Sequence, residues 1–215
     1  MSVHSHDYVP AAGHDRFLRF YDPLTRLLGA ERVRARLLDA ASVQAGERVL
    51  DLGCGTGALS LQLKQRVPGA EVVGLDPDPK ALARAKAKSE RAGAAVEWLE
   101  GYAGRAPFPA GSFDHVISSL VIHHLRSDEK RAAFRDVRRL LRPGGAFHVL
   151  DFGPPKTALE RALTALVHRG ERIGDNLRGR LPAWLAEAGF EDVREVESRR
   201  TAFGRVSLVS ARAPR

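Results

Sequence analysis

The sequence predicts an α/β fold, a doubly wound sheet of mostly parallel strands, and three observations lead to it. Short apolar segments alternate with helical segments through most of the 215 residues. Helices of that length between successive strands require right-handed crossovers, which make the strands parallel. A glycine-rich loop follows the first buried strand, which is where open α/β sheets bind their ligands. A chain of this length can form one domain with a sizeable core.

Composition excludes several other classes of protein. Hydrophobic residues make up 44% and charged residues 28% of the chain, as in an ordinary globular enzyme. No run approaches the roughly 18 to 20 apolar residues of a membrane helix. The opening segment MSVHSHDYVPAAGHDR lacks the apolar core of a signal peptide. The single cysteine excludes an internal disulfide framework. We therefore expect a cytoplasmic protein without a membrane span.

Helices are predicted before the sheet begins. Phe17 and Tyr21 have helical spacing, and the Asp-Pro pair at 22–23 is typical of a helix start. We predict one short helix up to Tyr21 and a second over 23–28. A third, at about 31–41, has its apolar residues on one side: Val33, Leu37, Leu38 and Ala41.

Five strands and three intervening helices are predicted in the middle of the chain. Each strand segment is short and apolar, whereas the helical segments have apolar residues three and four positions apart. The strands are predicted at 48–53, 70–76, 95–101, 113–122 and 145–153. The helices are predicted at 58–67, 79–93 and 128–141.

The C-terminal region has a different pattern. In the segment 181–190, Trp184 and Leu185 belong to one apolar helical stripe, and Gly189 is expected to end the helix. Strand segments at 190–200 and 205–213 follow, joined by a short glycine-containing connection. This arrangement predicts a terminal β-hairpin.

The loop Gly53-Cys54-Gly55-Thr56-Gly57 fits two classes of ligand. Followed by Ala58 it matches a dinucleotide fingerprint, and its alternating glycines equally suit S-adenosylmethionine (SAM). Asp51, just before the loop, favours SAM, because a carboxylate repels a pyrophosphate and attracts the α-ammonium group of SAM. The carboxylate of SAM can meet the amides of the loop and of the helix start. The alternative is that Asp51 only caps the loop backbone.

A second acid, Asp76, ends the next strand, 76 − 51 = 25 residues after Asp51. An acid at that position can accept hydrogen bonds from both ribose hydroxyls of an adenosine. Both classes of cofactor contain that group, so Asp76 indicates a nucleoside without distinguishing between them. A role as a cap is the alternative. Asp78 with Pro79 is expected to begin the following helix.

Five motifs occur in order: VLDLGCGTG, GLDPDPKALARAK, PFPAGSFDHVISSLVIHHL, LLRPGGAFHVLDF and LAEAGFEDV. Together they resemble a class I SAM-dependent methyltransferase over roughly residues 17 to 213. Within that superfamily the chain is similar to the small-molecule group that includes the ubiquinone/menaquinone C-methyltransferases. The resemblance implies a Rossmann-like sheet of seven strands, in which the last hairpin supplies the only antiparallel strand. It also implies a helical cover at 1–42 and a SAM-binding methyltransferase domain at 43–215, within one compact domain.

The resemblance assigns a cofactor site to this chain residue by residue. The glycine loop would line the methionine part of SAM, Asp76 would hold the ribose, and Pro77 would pack by the adenine. Many members have an aspartate where this chain has Tyr102, whose ring could stack on the adenine instead. Ser118 and Ser119 would face the methyl-bearing sulfur. The cofactor-binding residues are therefore expected to be Asp51, Gly53, Cys54, Gly55, Gly57, Asp76, Pro77, Gly101, Tyr102, Ala103 and Ser118.

The transfer of a sulfonium methyl group requires few catalytic side chains. The methyl group is already electrophilic, so the protein must chiefly orient the acceptor. A general base is needed only for an acceptor that keeps its proton. The candidates are His123, His124, Tyr21 and Asp151. Adjacent histidines point in different directions, so at most one of the pair is expected to enter the site, and His148 within a strand is expected to be structural.

Three other functions stay open from the sequence. The net charge of +8 raises the question of nucleic acid, but the basic residues are dispersed and the fourth strand lacks the N-P-P-Y-like segment that clamps base amines. A nicotinamide-dependent oxidoreductase would have to tolerate Asp51, and Tyr102 leaves a non-catalytic SAM-binding paralogue open. We expect SAM as the cofactor and a small-molecule acceptor methylated at C, N or O. We expect no specific nucleic-acid partner and no metal site.

Overall fold

A computed structural model describes residues 30–167, 172–201 and 204–215. The predicted helices before residue 29 and the candidate base Tyr21 lie outside the described residues. The domain boundary expected near residue 42 stays a prediction.

One sheet of seven strands forms the centre of the described structure, in the order β3-β2-β1-β4-β5-β7-β6. All neighbours are parallel except β7, which runs antiparallel to both β5 and β6. The predicted doubly wound sheet with an antiparallel C-terminal hairpin is confirmed. The strands are β1 (Arg48–Leu52), β2 (Glu71–Asp76), β3 (Glu97–Glu100), β4 (Phe113–Ser119), β5 (Leu141–Phe152), β6 (Glu191–Thr201) and β7 (Gly204–Arg212).

Helices cover the sheet and connect its strands. Asp78 begins α3 as predicted, because its carboxylate accepts the amide of Lys80 at 2.9 Å and Pro79 occupies the first turn. The helices are α1 (Ala30–Ala41), α2 (Ala58–Arg66), α3 (Pro79–Arg91), α4 (Ser127–Leu140), α5 (Ala158–Val167), α6 (Gly174–Leu177) and α7 (Leu181–Glu187), with a 3-10 turn at Ile122–His124.

Two apolar clusters form the core. Alternate residues of each central strand enter different clusters, as Leu50 and Val49 of β1 do, because successive strand side chains point to opposite faces. Phe134 of α4 and Trp184 of α7 belong to one cluster, and Leu37 of α1 belongs to the other. Helix α1 is therefore packed on the sheet as part of the same body.

The chain order reverses direction between β1 and β4. β1 pairs in parallel with β2 on one side and with β4 on the other. Connections leave to opposite sides at such a point, so a crevice opens at the carboxyl ends of these strands. The described sheet places Asp51, Asp76 and Ser119 at these ends.

Strand β4 is shorter than predicted. The sequence predicts a strand to residue 122, but β4 ends at Ser119. Leu120 adopts a φ of 59°, a conformation that L-residues rarely take, and its amide donates to the carbonyl of Leu150 at 2.8 Å. The chain therefore turns out of the sheet here and enters the 3-10 turn. Helices α5 and α6 were also absent from the predicted elements.

Within the described residues, no helix has the length and apolar character required to cross a bilayer. The same residues contain no cluster of three or more His, Cys, Asp or Glu side chains that could bind a metal ion. The cytoplasmic location stays a prediction.

Candidate functional site

A cavity of about 420 Å³ lies at the carboxyl ends of β1, β2 and β4. Its volume is in the range of small-molecule sites. Nine of the residues predicted to bind the cofactor line it: Asp51, Gly53, Cys54, Gly55, Asp76, Pro77, Gly101, Tyr102 and Ala103.

Asp51 is buried at the base of this cavity, with only 1% of its surface exposed. Its Oδ2 accepts the hydroxyl of Ser60 at 2.6 Å and the amide of Ser60 at 3.1 Å. Burial raises the pKa of Asp51 to about 6, although Ser60 and the nearby Arg34 guanidinium lower it. A cationic ligand group beside Asp51 would favour the ionised form.

Asp76 holds the glycine loop as well as facing the cavity. Its Oδ2 accepts the amide of Gly55 at 2.8 Å, and its Oδ1 accepts the amide of Asp78 at 2.9 Å. Burial raises the pKa of Asp76, and these two amides lower it again in part. Each carboxylate oxygen has a second lone pair, so Asp76 can also accept hydroxyl groups of a ligand.

The backbone of the glycine loop is exposed to the cavity. Gly55 has a φ of 51°, and a side chain there would extend into open space on the cavity wall. The first residues of α2, Ala58 and Leu59, also line the cavity, so the helix start faces it. Backbone amides at a helix start attract a carboxylate. These features fit SAM, whose ammonium, carboxylate and ribose would meet Asp51, the helix start and Asp76.

Two predicted cofactor residues lie away from the cavity wall. Gly57 begins α2 and packs against the ring of Trp98, where an added Cβ would approach within 2.6 Å. Ser118 is fully buried, and its hydroxyl donates to the carbonyl of Leu52 at 2.8 Å. Its neighbour Ser119 lines the cavity instead. Its hydroxyl oxygen is buried without a partner among the described residues.

Of the two candidate histidines in the 3-10 turn, only His124 lines the cavity. His124 lines the wall, and His123 lies beside it, with ring centroids 4.0 Å apart. His123 Nδ1 lies 2.7 Å from Asp151 Oδ1, and the backbone amide of His123 donates to Asp151 Oδ2 at 3.2 Å. The ring of Phe152 packs edge-on against His123. Asp151 therefore fixes the position of the His123 ring.

Asp151 and His124 differ in their charge at neutral pH. Burial would raise the pKa of Asp151, but His123 and the amide of Phe152 outweigh burial and hold that pKa below its usual range. Burial, together with the neighbouring His123 and Arg172, lowers the pKa of His124 to about 4. At neutral pH, Asp151 is thus an anion and His124 is uncharged.

Three arginines line the cavity that were not predicted to do so: Arg34, Arg105 and Arg172. Arg34 on α1 is only 9% exposed. It shares the helical stripe of Leu37, Leu38 and Ala41, so its spacing could have identified it. Arg172 lies in an irregular segment, where no periodic pattern marks it.

Comparisons with known proteins agree with this geometry. Residues 49–145 match a family model described as a methyltransferase domain. A demethylmenaquinone methyltransferase of Thermus thermophilus is 47% identical over 138 residues, 63% of this chain and 62% of the relative. One from Deinococcus radiodurans is 34% identical over 169 residues, 76% of this chain and 69% of the relative. An uncharacterized methyltransferase of Synechocystis sp. is 34% identical over 188 residues, 86% of this chain and 84% of the relative. The chain thus spans less than two thirds of the Thermus relative.

Solved structures share the fold. A phosphoethanolamine N-methyltransferase of Haemonchus contortus, solved with S-adenosylhomocysteine, superposes with a TM-score of 0.71 and 19% identity. That match covers 86% of this chain and 53% of the other. The [4+2]-cyclase SpnF gives a TM-score of 0.69 and 19% identity over 86% of this chain and 81% of its own. At such identities the likeness concerns the fold alone.

Proposed function

Because the chain belongs to the class I SAM-dependent methyltransferases, in the group that includes the ubiquinone and menaquinone C-methyltransferases, we propose that it methylates a small aromatic acceptor of the hydroquinone type. Its cofactor is SAM, which supplies an electrophilic methyl group. The acceptor class is supported by the names of the Thermus and Deinococcus relatives, which act on demethylmenaquinone. The structural observation that carries the proposal is the His123–Asp151 pair beside the cavity.

Binding of SAM is assigned to the lower part of the cavity. Asp51 attracts the ammonium group, and Asp76 accepts the ribose hydroxyls while holding the amide of Gly55. Tyr102, 42% exposed on the cavity wall, offers a ring face to the adenine in place of an acidic side chain. These contacts direct the sulfonium end toward Ser119 and the 3-10 turn.

Proton removal is assigned to His123. A hydroquinone carbon or oxygen that accepts a methyl group must lose a proton, and a neutral imidazole nitrogen can accept it. Asp151 bonds Nδ1, which leaves Nε2 as the proton acceptor and stabilises the ring when it becomes positively charged. His124, with a pKa of about 4, is a weak base and serves as a neutral hydrogen-bonding side chain of the wall.

Replacing each histidine in turn tests this proposal. With methyl-labelled SAM and 1,4-naphthohydroquinone kept reduced, we expect the wild-type protein to form a labelled product. His123→Gln should lower the rate at neutral pH by roughly 10²-fold or more, as loss of a general base does. His124→Gln is the matched control and should lower it much less. An equal loss in both variants would contradict the assignment of the base, and no transfer to any hydroquinone or phenol would contradict the acceptor class.

A further inference from the structure

Arg172 occupies a defined position on the cavity wall. It lines the cavity together with Ser119 and His124, and its Nη1 donates to the carbonyl of His124 at 3.4 Å. Within residues 30–167, 172–201 and 204–215, it forms no ion pair with a carboxylate. The guanidinium therefore brings a positive charge to the same wall as the two histidines.

A buried lysine fixes the backbone of Arg172. Lys130 of α4 is fully buried, and its ammonium group donates to the carbonyl of Arg172. The same ammonium lies 3.6 Å from Asp175 Oδ2, which also accepts the hydroxyl of Ser127 at 2.5 Å. Burying a lysine is unfavourable unless it is well paired, so this contact holds the backbone of Arg172 against α4.

The nearby acids are held by other partners. Asp128 and Glu129 line the cavity at the start of α4. Glu129 accepts the amide of Arg126 at 2.7 Å, and Asp128 lies 3.5 Å from the guanidinium of Arg126. The carboxylates therefore leave the charge of Arg172 largely uncompensated on its side of the cavity.

A ligand oxyanion would satisfy both polar groups on this wall. Arg172 presents up to five N–H donors, and the buried Ser119 hydroxyl has no partner among the described residues. The methyl donor carries a sulfonium cation, so its binding adds a positive charge to the cavity besides that of Arg172. An anionic acceptor relieves the repulsion between the two charges and forms charge-assisted hydrogen bonds.

We propose, building on the methyl transfer proposed above, that Arg172 and Ser119 form a subsite for an oxyanion of the acceptor. The oxyanion is either an ionised enol or phenol of the ring, or a carboxylate attached to it. Arg172 thus selects acidic acceptors and orients them against the sulfonium end of the cavity.

Three probe compounds test this subsite without turnover. The protein is loaded with S-adenosylhomocysteine, and binding is measured by calorimetry at pH 7.5. The probes are 1-naphthol, which is neutral, 1-hydroxy-2-naphthoate, which adds a carboxylate, and 2-hydroxy-1,4-naphthoquinone, which is an ionised enol at this pH. We expect at least one anion to bind roughly tenfold or more tightly than 1-naphthol, as for hydrogen bonds to a charged group. Which anion gains affinity distinguishes the two sources of the oxyanion.

Variants connect the preference to Arg172. Arg172→Met should abolish the preference for the anion, and Arg172→Lys should keep part of it, since lysine retains the charge without the planar fork. Ser119→Ala should weaken anion binding by roughly 2- to 10-fold. Arg105→Met is the matched control, because Arg105 lines the same cavity beside Tyr102, and it should keep the preference.

Two results would overturn the subsite. One is a wild-type protein that binds neither anion more tightly than 1-naphthol, and the other is an undiminished preference in Arg172→Met. Because binding is measured with the demethylated product in place, a protein that prefers anions but transfers no methyl group would keep the subsite and refute only the proposed reaction.

Discussion

Asp51 is the buried acid that lines the part of the cavity proposed to hold the ammonium group of SAM. Burial holds its pKa at about 6, above the range of an exposed carboxyl group. In the proposed binding mode the ammonium group of SAM lies beside Asp51 and favours its ionised form, so we expect the pKa of Asp51 to fall when SAM binds. Below pH 6 the free protein must lose a proton from Asp51 to bind SAM, and affinity is therefore lost as the pH falls.

We expect the affinity for SAM to be nearly constant between pH 6.5 and 7 and to fall by up to about tenfold per pH unit below pH 6. Asp51→Asn should bind roughly 10- to 100-fold more weakly at pH 7 and should lose this dependence. Calorimetric titrations at several pH values measure both effects. Asp76→Asn is the control, which should weaken binding but keep the dependence near pH 6. An unchanged pH dependence in Asp51→Asn would show that another group titrates.

The positions of the two acids in the candidate cofactor site could be predicted from the sequence, whereas those of the nearby serine and histidine side chains could not. Asp76 ends β2 and Asp51 is the last residue but one of β1, so strand prediction alone brings them together. Strand prediction could not tell which of Ser118 and Ser119 lines the cavity. In the structure the Ser118 hydroxyl donates to the carbonyl of Leu52, and Ser119 faces the cavity instead. The partnership of His123 with Asp151 depends on the pairing of β4 with β5, which sets Ser119 beside Leu150. No local sequence pattern predicts the register between β4 and β5.

At the scale of elements, β3 supports the glycine loop through one aromatic ring. Trp98 donates its indole N–H to Ser89 of α3 at 3.0 Å. Its ring lies against Gly74 of β2 and Gly57 at the start of α2, where added Cβ atoms would come within 2.4 and 2.6 Å. Both glycines are needed so that the ring can pack under the cofactor loop.

Gly74→Ala should destabilise the protein by about 1–3 kcal/mol, because the new methyl group overlaps the Trp98 ring. In a Trp98→Leu background the same substitution should destabilise much less, since the ring is absent. Urea unfolding of the wild type, both single variants and the double variant measures this coupling. An equal loss from Gly74→Ala in both backgrounds would mean that Trp98 does not impose the glycine.

The end of β4 shows where element prediction reaches its limit. The apolar run after Ser119 continues the strand pattern, so periodicity predicts a strand to residue 122. The backbone of Leu120 instead takes a φ of 59° and redirects the chain into the 3-10 turn. Positive φ at a leucine is costly and has no sequence signal. The strained position stands directly before Val121 and the 3-10 turn, where Val121 and His124 line the cavity.

At the scale of the whole molecule, the sheet order followed from the alternation of strands and helices and from the terminal hairpin pattern. The net charge of +8 does not by itself determine whether the protein acts on a nucleic acid or on a small molecule. Several basic side chains on the described surface are paired: Arg131 lies 2.6 Å from Glu187, and Arg142 lies 2.5 Å from Asp114. The expectation of no specific nucleic-acid partner stays a prediction.

The most direct test of the central claim is to follow the label of methyl-labelled SAM in one reaction that contains reduced 1,4-naphthohydroquinone and bulk RNA at physiological salt. We expect the label to enter an organic-soluble product, with one S-adenosylhomocysteine formed for each methyl group transferred, and the RNA to stay unlabelled. Label in the RNA, or no S-adenosylhomocysteine beyond that formed without the protein, would contradict the claim that this chain is a small-molecule methyltransferase.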